Sequence, residues 1–170
     1  MKEKWKQTVI MLISMAVLIG VDQLVKLWTV QRLKGQPPIV LWQGVFELTY
    51  VENRGAAFGM LQNQQILFAT LTVLVVIGLL VVCFRLGPDS KFRLTRICCT
   101  GVIAGAIGNF LDRMIRHYVV DMFYFKLIHF PVFNVADCYV VVFGLLFCVA
   151  ALCQRQLLDD IGHAVRKGKS

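Results

Sequence analysis

Apolar residues in this chain gather in four long runs, near residues 9–28, 66–84, 94–111 and 135–153, with shorter polar connectors between them. A helix needs about 20 residues to cross a hydrocarbon core, so each run is long enough. Lipid gives backbone groups no outside partner, which predicts that all four runs are membrane-spanning helices. The second and fourth are nearly free of polar side chains, the third carries Gly101, Gly105 and Gly108, and the first closes on Asp22 and Lys26. Between the first two runs the period changes. Residues 39–42 and 45–52 flank Gln43-Gly44, and Phe46, Leu48 and Tyr50 alternate with Glu47 and Thr49, as in a β-hairpin. Trp28, Trp42, Phe46 and Tyr50 set that small sheet, within about 36–60, at a membrane–water interface, where aromatic rings are favoured. The connector 112–134 holds the apolar run 118–125 and a break at Phe130-Pro131, and is expected to form an outer loop or short helix. The expected fold is one mainly α, integral-membrane domain over residues 1–170. It is a four-transmembrane-helix bundle carrying a small β-hairpin or sheet on its outer face.

Composition agrees with that pattern. The chain is 58% hydrophobic and 16% charged, where soluble domains average roughly 45–50% and about 25%. The net charge of +8 does not signal nucleic acid, because the basic residues form short clusters beside apolar runs and no nucleic-acid-binding motif is present. Lys2, Lys4 and Lys6 precede an apolar stretch as in a signal peptide, but no small-x-small cleavage site follows, so the stretch is read as an uncleaved first span. Those three lysines, Arg85, Lys91, Arg93 and Arg96 in the second connector, and Arg155, Arg166, Lys167 and Lys169 in the tail lie on one side. The other two connectors hold fewer basic residues over longer segments, so the positive-inside bias puts both termini in the cytoplasm and the long connectors outside.

Six cysteines, Cys83, Cys98, Cys99, Cys138, Cys148 and Cys153, form no C-x-x-C pair and sit in or beside apolar runs. They are read as buried reduced thiols rather than zinc ligands or a redox pair.

Polar groups at membrane depth are costly and are functional candidates by default. Asp22, Asn109, Asp112, Arg113, Asp121 and Asp137 all fall at outer span ends or in outer connectors, so they converge on one leaflet. Ser14, Ser90 and Ser170 leave an outer serine peptidase without a nucleophile. The chain has no H-E-x-x-H, and His117, His129 and His163 lack metal-ligand spacing. Cys138 would need a histidine brought to it by the fold. Carboxylates remain. Two acids about 4 Å apart, at an effective dielectric near 20, repel by roughly 4 kcal/mol and so share one proton. The ionised partner then activates water while the protonated one polarises a carbonyl. Asp121, among apolar neighbours, and Asp137, at the entry to the fourth span, are the candidates.

Structural roles account for the same residues singly. Asn134 is a natural N-cap, which puts Asp137 at the third helical position. Asp121 has Arg113 and Arg116 as possible partners. Asp22 and Lys26 are an i, i+4 pair read as mutual neutralisation, and Asp112 reads as the salt bridge closing a packing face with Asn109 and the glycine stripe. Gly55, after Asn53-Arg54 and before Ala56-Ala57, allows close backbone approach. A four-helix thiol–quinone oxidoreductase and a proton-coupled transporter are the competing classes. The first requires paired outer cysteines, and the second requires acids strung across the membrane.

Five motifs in order resemble the bacterial lipoprotein signal peptidase family, signal peptidase II, over nearly the whole chain. They are Asp22-Gln23-x-x-Lys26, Asn53-Arg54-Gly55-Ala56-Ala57-Phe58, Gly105-Ala106-Ile107-Gly108-Asn109-x-x-Asp112-Arg113, Val119-Val120-Asp121 and Phe133-Asn134-x-Ala136-Asp137. Ala104 and Met122 depart from that pattern, standing where Gly and Phe are expected. The resemblance implies an aspartyl endopeptidase using no metal or cofactor. It would remove signal peptides from diacylglyceryl-modified prolipoproteins, cutting before the lipidated cysteine at the outer face of the bacterial cytoplasmic membrane. It also implies Asp121 and Asp137 as the catalytic pair, and Asn53, Asn109 and Arg113 as groups that hold substrate or order the site. Asn134 would support the pair, the hairpin would act as a substrate cradle, and globomycin-type cyclic peptides would inhibit.

Overall fold

The computed structural model of the protein describes residues 2–55 and 64–153. Helices α1 (Lys2–Leu33), α2 (Gln65–Leu86), α3 (Arg93–Arg116) and α4 (Val135–Cys153) are each long and apolar enough to cross a membrane. α1 overruns its apolar stretch at both ends. Its 32 residues span about 48 Å at ~1.5 Å per residue, well beyond a hydrocarbon core of ~30 Å. It stops at Gly35, whose φ of +73° takes the left-handed turn that ends a helix.

α3 is the centre of the bundle. Half of its most apolar stretch is buried inside the protein, against 6–17% for the other three helices, whose outer faces expose rows of Leu, Ile and Val. The glycines are the cause. A Cβ at Gly101 would collide with the Phe143 ring, one at Gly105 with the Ala136 carbonyl, and one at Gly108 would come 2.7 Å from an Asp22 carboxylate oxygen. Small residues let α4 and α1 reach α3 at backbone distance. Ala104, one of the two departures, is buried against Met15 and Ile103.

The expected hairpin is present as β1 (Ile39–Trp42) and β2 (Phe46–Asn53), turned at Gly44 with φ +72°. The outer connector is not a plain loop or helix. α3 continues to Arg116 and closes on left-handed His117, and Val119–Phe125 forms a third strand, β3, antiparallel to β2. This run is rich in valine and aromatic residues, and β2 offers it an unpaired edge. A single 3-10 turn (Lys126–Ile128) follows. The chain then doubles back, and Phe133 exchanges backbone bonds with Phe123 at 2.8 and 3.1 Å. Phe46, Phe123, Phe125 and Phe133 pack with ring centroids 4.8–6.3 Å apart around that return. All four β1 residues face outward, as do Leu127, Ile128 and Phe130. These surfaces fit an interfacial seat.

The thiol reading needs one correction. Cys83, Cys98 and Cys99 are buried and Cys138 is half-buried, but Cys148 is exposed, because it lies on the outward face of α4. The stretch 56–60 of the expected cradle, with Ala56-Ala57-Phe58, lies outside the described residues, as do His163 and the basic tail.

Candidate active site

The site assembles where the outer ends of α3 and α4 meet the sheet. Asn134 caps α4 reciprocally. Its side-chain oxygen accepts the Asp137 N–H at 3.0 Å, and an Asp137 carboxylate oxygen accepts the Asn134 N–H at 3.1 Å. This is a capping box with acid in place of Glu or Gln. The Phe123–Phe133 bridge holds that cap against β3, so the Asn134 amide also reaches Asp121, donating at 2.6 Å. One asparagine therefore touches both acids.

The other Asp121 oxygen accepts from Asn53 at 2.9 Å. Asn53 lies opposite Val119 in the register and Val51 opposite Asp121, so Asn53 reaches Asp121 diagonally along the sheet. Asn109, on α3, donates to Asp137 at 2.7 Å and accepts from Asn134 at 3.1 Å. Asp121 is 1% exposed. Burial first, and then the neighbouring Asp137 charge, push its carboxyl up to about 7. Neither expected cation pairs with Asp121. Arg113 instead donates to the Gly55 carbonyl at 3.3 Å and the Asn109 carbonyl at 3.4 Å, with its guanidinium 4.9 Å from the Phe68 ring centre. Gly55 is buried, and its N–H bonds the Asn53 side-chain oxygen at 3.0 Å. Arg113 thus ties the end of β2 to α3 with its charge facing both acids.

Behind the pair lies a second layer, fully buried. Lys26 sits between Asp22 at 3.0 Å and Asp112 at 3.1 Å, and donates to Asn109 at 2.9 Å. Asp22, Lys26 and Asp112 are all 0% exposed. Each acid also holds backbone: Asp22 accepts the Ala136 N–H at 2.9 Å, and Asp112 accepts the Val120 N–H at 3.1 Å. Arg116 completes the charge balance on Asp112. Lys26 therefore orders Asn109, which orders Asp137.

Sequence reasoning missed two features. Gln23 bridges Asp22, Asp112 and the Gly108 carbonyl at 3.1–3.2 Å, and accepts from Arg116. Its only visible signal was its place inside the Asp22–Lys26 motif. At the end of β2, Glu52 accepts from Lys34 at 3.0 Å, Tyr50 at 2.9 Å and Arg54 at 3.2 Å. The Lys34 and Tyr50 bonds hold the Glu52 carboxyl down to about 2. Burial, followed by a bond with Tyr118, raises the Tyr50 phenol. This exposed cluster anchors the strand that delivers Asn53.

The competing classes lose ground on placement. Asp22, Asp112, Asp121 and Asp137 share one end of the bundle instead of stringing across it, whereas Cys83, Cys98 and Cys99 lie toward the other end. His129 is engaged with the Tyr124 hydroxyl at 3.3 Å, not with Cys138.

Comparison with known proteins agrees with the motifs. The family model for signal peptidase (SPase) II matches residues 14–153. A lipoprotein signal peptidase of Streptococcus pneumoniae is 42% identical over 149 residues, covering 86% of this chain and 95% of the relative. One from Clostridioides difficile is 43% identical over 136 residues, covering 79% and 89%. Two solved bacterial membrane enzymes share the fold. One has a TM-score of 0.72 at 22% identity, covering 85% of this chain and 88% of that one, and the other 0.71 at 24%, covering 85% and 93%.

Proposed function

The chain belongs to the signal peptidase II family, and on that premise we propose that Asp121 and Asp137 are the catalytic pair of a two-carboxylate peptidase. The protein is a multi-pass membrane peptidase that removes signal peptides from prolipoproteins. The observation that carries the catalytic reading is the double engagement of Asn134. Its side chain binds Asp121 and its backbone N–H binds Asp137, which holds the acids close enough to feel one another's charge.

In this reading the pair holds one proton, favoured on buried Asp121. Asp137 takes a proton from water as the water oxygen attacks the scissile carbonyl. Asp121 hydrogen-bonds the carbonyl oxygen where negative charge develops. When the tetrahedral intermediate collapses, the C–N bond breaks, and the proton gathered by Asp137 passes to the leaving nitrogen. Water supplies the new C–O bond and the proton balance closes. Asn53, Asn109 and Asn134 hold the acids, while Arg113 and Gly55 shape the substrate's entry beside β2.

The substrate is a diacylglyceryl-modified prolipoprotein, cut before its lipidated cysteine. A lipid-anchored chain arrives sideways from the bilayer, and the exposed apolar β1 and the 3-10 turn offer an interfacial seat beside the acids. The chain resides in the bacterial cytoplasmic membrane with both termini cytoplasmic and the acids toward the outer leaflet. Globomycin-type cyclic peptides compete for this site. The deciding experiment is cleavage of a purified lipidated precursor. Asp121→Asn and Asp137→Asn each lower the rate by roughly 10²–10⁴ or more while folded protein accumulates normally. Near-normal cleavage by either variant overturns the pairing.

A further inference from the structure

At the bundle end away from the carboxylates, a cavity of about 750 Å³ opens between α1, the α2–α3 connector and α3. α1 and α3 meet around Met15, Ile103 and Ala104, and the cavity lies nearer the start of α1. Drug-sized ligand sites run about 300–1,000 Å³. Met11, Leu18 and Phe143 give it an apolar lining, joined by the more exposed Ile97, and its mouth is basic. Lys4, Lys6, Arg93 and Arg96 stand there against one acid, Glu3.

These cations are not consumed by the fold. Lys4, Lys6 and Arg93 are exposed, and their side-chain charges make no hydrogen bond or ion pair among the described residues. Arg96 is held in place instead, its Nη1 donating to the Gly87 carbonyl at 2.7 Å and the Asp89 carbonyl at 2.9 Å. A guanidinium has five donors, so others remain for a ligand. Gln7 ties α1 to the connector beside them. Its Nε2 donates to the Pro88 carbonyl at 3.0 Å, but its Oε1 is buried with no partner.

We propose that this cavity binds an anionic phospholipid. The phosphodiester meets the four cations, and an acyl chain fills the apolar interior from the bilayer. A soluble phosphate would use the mouth and leave the interior empty. Basic pockets between spanning helices on the side carrying the positive loops are suited to anionic headgroups. The inference is independent of catalysis.

Native mass spectrometry of the full-length protein in detergent, titrated with phosphatidylglycerol, phosphatidylcholine and glycerol 3-phosphate, tests it. Phosphatidylglycerol should bind at least about tenfold more tightly than phosphatidylcholine, with roughly fivefold per surface cation as the guide. The Lys4→Gln/Lys6→Gln/Arg93→Gln variant should lose that preference while keeping its lipid-free Tm and cleavage rate. Ser14→Trp, which fills the interior with all charges intact, should weaken phosphatidylglycerol about tenfold. Ile97→Trp, at an exposed position, repeats the steric test should Ser14→Trp fail to fold. Equal affinity for the two lipids, an unaffected triple variant, or displacement of phosphatidylglycerol by glycerol 3-phosphate overturns the proposal.

Discussion

Two carboxyl groups held by the same asparagine cannot both ionise without mutual repulsion, and burial together with the Asp137 charge raises the Asp121 carboxyl. Its carboxyl ionises near pH 7 in the folded protein, against about 3.9 in an unfolded chain. The folded state therefore binds more protons between those values, and stability must fall as pH rises from about 4 to about 7. That slope should vanish in Asp121→Asn, read as Tm against pH in detergent. Activity should follow the same group: if the singly protonated pair is the working form, cleavage declines as pH rises past about 7. A pH–rate profile still climbing at pH 9 would refute it. At this scale the acids were legible, because ionisable residues beside apolar runs are rare. So was the Asn134 cap, because its signature is local. The Asp121 partners were not. The two nearby arginines were the obvious choice by sequence, yet Asn53 arrives from 68 residues away.

Among the elements, α3 is decisive, and its glycines set how closely the others approach. Gly105 faces the Ala136 backbone, which belongs to the very turn that presents Asn134 and Asp137. Gly144 on α4 has nothing within 4 Å of where a Cβ would sit. Gly105→Ala should therefore separate α3 from α4 and lower both Tm and cleavage. Gly144→Ala should leave Tm unchanged or raise it slightly, since alanine gains up to about 1 kcal/mol over glycine within a helix. Equal Tm effects would refute the packing argument. Helices and hairpin were readable from period and length. β3 was not, since a seven-residue apolar run suits a strand or a helix turn alike until an open strand edge lies beside it.

For the whole molecule, Lys26 is the residue on which the buried layer balances. Its neighbours Asp22 and Asp112 have no access to water. Lys26→Met leaves Asp22 without a cation and Asp112 with Arg116 alone, and breaking a buried ion pair typically costs about 3–5 kcal/mol. The expected outcome is a sharp fall in folded protein recovered in mild detergent, partly restored by adding Asp22→Asn. Membrane orientation belongs to this scale as well. Thiol-reactive probes that cannot cross the membrane should label a cysteine placed at Lys2 only after cell disruption, and one placed at Gln43 in intact cells. The reverse pattern would invert the topology. The chain's own pattern determined that it lives in a bilayer, how many helices cross, and which polar residues gather at one end. Those facts depend on local periodicity and on the high cost of polarity in lipid. Tertiary structure alone decided the partners: which amide holds which carboxylate, that one lysine serves two acids, and that a third strand carries Asp121. Such contacts join residues tens of positions apart, and only chain closure in three dimensions brings them together.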